Sequence, residues 1–216
     1  MKLNIFGAAG CAKEVEWLLS AINSSQNTKM EVNCFVDKSA HPDLFIGKPV
    51  LAEEDFFSNP GIDLTTAFVV AIAEPHIRYA ISKKILNKLP NAVFPSFMHP
   101  QNSVDMRPNR FEHGFGNIFC YGAAVMPDTK IGNFLYQSIH STIGHDCIIG
   151  DALSLFPGAK ISGNVTIGNR VLIGAGATIK EKVQICDDVV IGAGAVVVKS
   201  IVEPGVYAGV PAKKIK

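Results

Sequence analysis

The chain has little charge and no dominant sign. Lys and Arg number 20 against 19 Asp and Glu, a net charge of +1, and charged residues make up only 18% of 216. With no field of one sign, nothing gathers nucleic acid or an anionic membrane surface. Long apolar runs are missing too, which argues against a membrane-spanning helix. The apolar N-terminus is interrupted by Gly7 and Gly10 and lacks a cleavage-site pattern, so it reads as a first strand, not a signal peptide. Cysteine is sparse: Cys11, Cys34, Cys120, Cys147 and Cys186 are scattered with no CxxC pair. That pattern fits reduced thiols in a cytoplasmic protein and speaks against a disulfide frame or a zinc knuckle. The low charge also fits a chain that hides surface in an oligomer.

What is there instead is a period of six. Stepping by six from Val125 gives Val125, Ile131, Gln137, Ile143, Ile149, Leu155, Ile161, Ile167, Ile173, Ile179, Ile185, Ile191 and Val197, of which 12 of 13 are Val, Ile or Leu. Six is no multiple of 3.6, and the segment is Gly-rich and β-branched, so a helix fails. A hexad read as a short strand plus a turn, three to a coil, gives a parallel β-helix in which Ile143, Ile161 and Ile179 stack inward. Upstream the phase slips: Val104, Phe111, Ile118 and Val125 are seven apart, with Pro108 and Gly114 between, so the first coil should be irregular.

The first half alternates strands and helices. Residues 2–6, 32–36 and 66–72 read as strands, and about 12–22 and 75–89 as helices, which implies a small parallel, Rossmann-like sheet. Ligands of such sheets sit at the carboxyl ends of the strands, where Gly7 to Cys11, Asp37 and Ala73 lie. The Gly7-x-x-Gly10 turn has two readings, a phosphate cradle at a helix N-terminus or a purely structural turn. Residues 94–100 look like the crossing into the coils. The expected division is a Rossmann-like domain over 1–95 and an all-β left-handed parallel β-helix over 96–216.

The six-residue repeat resembles the left-handed β-helix of the bacterial hexapeptide-repeat acyltransferases. The whole chain is similar to the sialic acid O-acetyltransferase and nucleotide-sugar N-acetyltransferase family. The residues that carry this are the opening Gly7-x-x-Gly10, Asp37 at the end of the second strand, Gly144-His145-Asp146-Cys147 in the repeat, and the ending Gly209-Val210-Pro211-Ala212-Lys213. The resemblance implies acetyl transfer from acetyl-CoA to the amino group of a nucleotide-linked amino sugar, a UDP-linked 4-amino-4,6-dideoxy sugar in particular, in glycan biosynthesis. It also implies a homotrimer with active sites between subunits, and no metal. Carried across, His145 is the general base and Asp146 the acid that raises its basicity. Acetyl-CoA lies near Ser154, Gly174, Ala175 and Ala193, with Lys213 toward its phosphates. The sugar nucleotide is held by Ala9, Gly10, Cys11, Asp37, Lys38 and Ala73. Two departures stand out: many relatives have His where this chain has Ser154, and Gly where it has Ala73.

Acetyl transfer needs a lone pair brought to a thioester carbonyl, and neutral imidazole is a suitable base. Against this, His145 reads equally as a turn histidine and Asp146 as a solvated turn acid. Gln137, the one polar hexad start, either braces the active-site turn or is a tolerated irregularity. His140 either positions substrate or is an exposed turn residue. Gly174, Gly176, Gly192 and Gly194 either let pantetheine approach or make tight corners. Arg78 either reaches a substrate phosphate or is a surface residue. Lys213 and Lys214 are either phosphate contacts or solvated. Trp17 is spaced as a core residue of the first helix, and Cys147 should be buried and inert. Three rival functions remain: O-acetylation of sialic acid or another sugar hydroxyl, a zinc carbonic anhydrase using His140 and His145, and a non-catalytic sugar-nucleotide binder.

Overall fold

The structure is a computed structural model that describes residues 1–58, 66–105, 107 and 109–216, without the side chains of residues 41–43. Pro108, expected in the irregular coil, lies outside the described residues. The N-terminal part is a five-stranded sheet built from β1 (Lys2–Phe6), β2 (Glu31–Asp37), β3 (His41–Phe45), β4 (Lys48–Ala52) and β5 (Ala67–Val70). The order is β3-β4-β2-β1-β5, parallel except for the antiparallel edge pair β3–β4. The parallel sheet expected is present, with β3 added to it as an antiparallel edge strand. β5, though last in the order, is buried at every position, because both of its faces are covered. Helix α1 (Gly10–Gln26) buries Ala12, Val15, Leu18, Leu19 and Ile22, the stripe of a helix lying on a sheet. It stops at Asn27, which takes the left-handed conformation of a C-cap. A short α2 (Glu53–Ser58) follows β4. Helix α3 (Pro75–Lys88) is started by Glu74, whose carboxylate accepts the Ile77 N–H at 2.7 Å, with Pro75 at its first position.

From Phe97 onward the chain winds as a left-handed parallel β-helix with three faces. The first face carries Phe97–Met98, Ile118–Phe119, Tyr136–Gln137, Ser154–Leu155 and Leu172–Ile173. The second carries Ser103–Val104, Ala124–Val125, Thr142–Ile143, Lys160–Ile161 and Thr178–Ile179. The third carries Phe111–His113, Thr129–Ile131, Ile148–Ile149, Thr166–Ile167 and Gln184–Ile185. Ile143, Ile161 and Ile179 pair directly across coils and are at most 2% exposed. Burying each such side chain stabilises by ~1.5–3 kcal/mol.

The corners repeat as strictly as the core. Residues 116, 122, 128 and every sixth one to 194 have positive φ. Some are Gly and four are Asn or Asp, the types that tolerate this region best. At one edge a side-chain ladder ties coil to coil. The Asn133 N–H donates to Asp151, the Asp151 N–H to Asn169, and the Asn169 N–H to Asp187, each at 2.8 Å. The first turn of the helix is irregular as expected: Phe97 pairs with Ile118 and Ser103 with Ala124, a longer step than the later hexad register.

Candidate active site

His145 stands on the corner between the second and third faces, where the chain turns from Thr142–Ile143 to Ile148–Ile149. Asp146 takes the positive-φ position (φ 57°), and it and His145 both project outward. The His145 Nδ1 lies 2.6 Å from Asp146 Oδ2, and both side chains are about half exposed. An ionised carboxylate can only accept, so Nδ1 carries the proton and the Nε2 lone pair is left for chemistry. The ring lies against Gly163 of the next coil, where a Cβ would come within 2.6 Å of Nε2. Cys147 is buried behind the pair, its thiol hydrogen-bonded to the Ser162 carbonyl, as expected of an inert inward position.

The strand ends of the sheet converge on the Gly7–Gly10 turn. The Gly7 N–H donates to the Val36 carbonyl at 2.7 Å. Gly7 has φ +104°, and a Cβ there would strike the Ala71 carbonyl at 2.7 Å, so only glycine fits. Asp37 bridges the turn, accepting the Ala8 N–H at 3.0 Å and the Lys38 N–H at 2.7 Å. Ala9 is the N-cap of α1 with no side-chain cap, and Ala9 and Gly10 are exposed. The first amides of a helix lack intrahelical partners, so they face outward as donors for an anion. Cys11 sits half-buried one residue further in, its thiol pushed up to about 12, chiefly by burial.

The remaining candidates occupy other places. Ala175 and Ala193 are exposed on the corner between the first and second faces. Gly174 is buried, and a Cβ on it would meet Ala193 N at 2.6 Å; close coil stacking accounts for it. Gly176 and Gly194 are positive-φ corner residues facing open space. Lys213 is exposed in a terminal strand, while Lys214 pairs with Glu203 at 3.1 Å. Ser154 is fully buried and its hydroxyl donates to the Ala73 carbonyl at 2.5 Å. Its side chain therefore lies on the outward side of the first face, covered there by the sheet unit.

Two further readings change. Arg78 is neither on the surface nor free for a phosphate. It is 1% exposed and its five N–H groups all go to backbone carbonyls, of Ile72, Ala73, Phe134, Ala152 and Leu153. Burial lowers its pKa to about 10, so it stays charged at neutral pH. Trp17 is 48% exposed, because its side of α1 runs past the sheet toward His99 and Tyr121. Gln137 does lie inside, its amide donating to the Ala124 and Ser141 carbonyls. His140 is exposed on the corner opposite His145 across Thr142–Ile143, its ring edge-on to Tyr121. Among the described residues no three metal-ligating side chains cluster, and no helix is long and apolar enough to cross a membrane.

Comparison with known proteins fits this arrangement. The model for bacterial transferase hexapeptide repeats matches residues 140–181 and 164–199. GDP-perosamine N-acetyltransferase of Escherichia coli O157:H7 is 33% identical over 165 residues, covering 74% of this chain and 70% of that protein. The chain belongs to the hexapeptide-repeat nucleotide-sugar N-acetyltransferase family. As a member it is an acetyl-CoA-dependent acyltransferase. Among solved family structures, perosamine N-acetyltransferase from Caulobacter crescentus, a point variant with CoA and GDP-perosamine, superposes with TM-score 0.87 at 26% identity, over 100% of this chain and 97% of that one. The acetyltransferase domain of PglB from Neisseria gonorrhoeae, with acetyl coenzyme A, gives 0.84 at 27% identity, over 99% and 98%. The sequence reading named Arg78 only as a phosphate contact or a surface residue, and did not name the pair in which the Tyr136 hydroxyl donates to Glu14. Neither has a local signal, since each joins segments more than fifty residues apart.

Proposed function

We propose that this chain transfers the acetyl group of acetyl-CoA to the amino group of a nucleotide-linked amino sugar, with His145 as general base. The observation that carries this is the Asp146–His145 hydrogen bond on an exposed coil corner, which leaves the Nε2 lone pair, over Gly163 of the next coil, free for the proton. In the reaction the amine nitrogen attacks the thioester carbonyl, the C–N bond forms and the C–S bond breaks. The amine proton passes to Nε2 and then to the departing thiolate. Asp146 stabilises the imidazolium in between. The sugar nucleotide sits over Ala9, Gly10 and Cys11, with Asp37, Lys38 and Ala73 around it. Acetyl-CoA runs past Gly174, Ala175 and Ala193, with Lys213 toward its phosphates.

One chain does not complete this site. The sheet unit covers the first face, through Phe97, Ile118, Tyr136 and Ser154, whereas His145 stands on the corner opposite that face. A second copy has to supply His145 to each sugar-nucleotide pocket, which supports a homotrimer with active sites between subunits. The resemblance implies a UDP-linked 4-amino-4,6-dideoxy sugar, and the relatives named for GDP-perosamine make a GDP-linked amino sugar its competitor. Thiol release from acetyl-CoA, followed with each amino sugar nucleotide and with sialic acid, separates them. Release with sialic acid alone would replace the N-acetyl reading with the O-acetyl one.

A further inference from the structure

Ser154 and Arg78 meet at one carbonyl. The Ala73 oxygen accepts the Ser154 hydroxyl at 2.5 Å and the Arg78 Nη1 at 3.1 Å. Nη1 also donates to the Ile72 carbonyl at 2.7 Å. From the other side of the same guanidinium, Nη2 donates to the Ala152 and Leu153 carbonyls at 3.0 Å, and Nε to Phe134 at 2.8 Å. Ile72 and Ala73 leave the carboxyl end of β5; Phe134, Ala152 and Leu153 belong to the coils. A planar fork with all five donors spent holds both sides in a fixed geometry. Neither side chain has a donor left for a ligand, and both are at most 1% exposed.

We propose that Ser154 and Arg78 are positioning residues that clamp the Ile72–Ala73 turn onto the β-helix and so set one wall of the sugar-nucleotide pocket. This rests on the pocket assignment above and gives Ser154 a role on the sugar-nucleotide side, not beside the thioester. The turn abuts the Gly7 loop, since a Cβ on Gly7 would come within 3.1 Å of Ile72. A wall fixed to the coils holds the bound sugar in a fixed place relative to the β-helix. The preset wall also lowers the ordering cost of binding.

The test is calorimetry and steady-state kinetics on wild type and Ser154→Ala, with acetyl-CoA and with GDP- and UDP-linked 4-amino-4,6-dideoxy sugars. Removing one buried hydrogen bond while Arg78 keeps its own should raise KM for the sugar nucleotide about five- to tenfold. KM for acetyl-CoA and kcat at saturation should stay within about twofold of wild type, and unchanged acetyl-CoA affinity reports intact coils. Arg78→Lys, with three donors for five acceptors, should raise the same KM further. A rise in KM for acetyl-CoA instead, a loss of both affinities, or no change in either would overturn the clamp. A wild-type chain that binds acetyl-CoA but none of the sugar nucleotides would overturn the pocket assignment and the clamp with it.

Discussion

His145 and Asp146 share one hydrogen bond, and its direction decides which ring nitrogen can work. With Nδ1–H held by the carboxylate, Nε2 is the nitrogen that the proposed mechanism uses as base. His145→Asn should lower kcat by about a hundred- to ten-thousandfold with the melting temperature unchanged, since the side chain is exposed; near-normal turnover would remove it from the mechanism. The pair was legible because hexad phase alone puts Gly144-His145-Asp146 at a corner. Arg78 and Trp17 were not, because helical spacing shows which side of α3 or α1 a residue lies on but not what the β-helix brings against it. Cys11 gives a second test at this scale. Burial pushes its thiol up to about 12 and disfavours the thiolate. Iodoacetamide at pH 7.5 should label it at least about a hundredfold more slowly than free cysteine, rising only at strongly alkaline pH. Fast labelling, read by mass spectrometry, would contradict its burial.

The coil is the element the sequence states most clearly, because one residue in six has to point inward and one in six has to turn left. Ile161 stacks between Ile143 and Ile179, so Ile161→Ala should cost about 2–5 kcal/mol in denaturant unfolding; a loss under 1 kcal/mol would argue that the stack is not what holds the coils together. The β3–β4 hairpin was not legible. Its two-residue turn is Ile46-Gly47, both with positive φ, a type I′ geometry that normally announces itself as Asn-Gly. A β-branched residue there is strained, so Ile46→Asn should raise stability by about 1 kcal/mol. An unchanged or lower Tm would refute the strain. Helix α2 escaped notice for another reason: six residues are too few to show a period.

At the scale of the whole molecule, the sheet unit and His145 lie on opposite sides of a triangular prism. Chain topology fixes that, since the corner between the second and third faces is the one the first face does not touch. On the proposed function this geometry implies a division of labour between copies, with each pocket drawing its base from a neighbour. His145→Asn subunits keep the Asp37 pocket, and Asp37→Ala subunits keep the base, so each lacks what the other supplies. Co-assembled from a mixed population and assayed below KM for the sugar nucleotide, they should release thiol from acetyl-CoA well above the sum of the two variants alone. Activity no greater than that sum would mean that each chain serves its own pocket, and that the opposed geometry described here is not the working one.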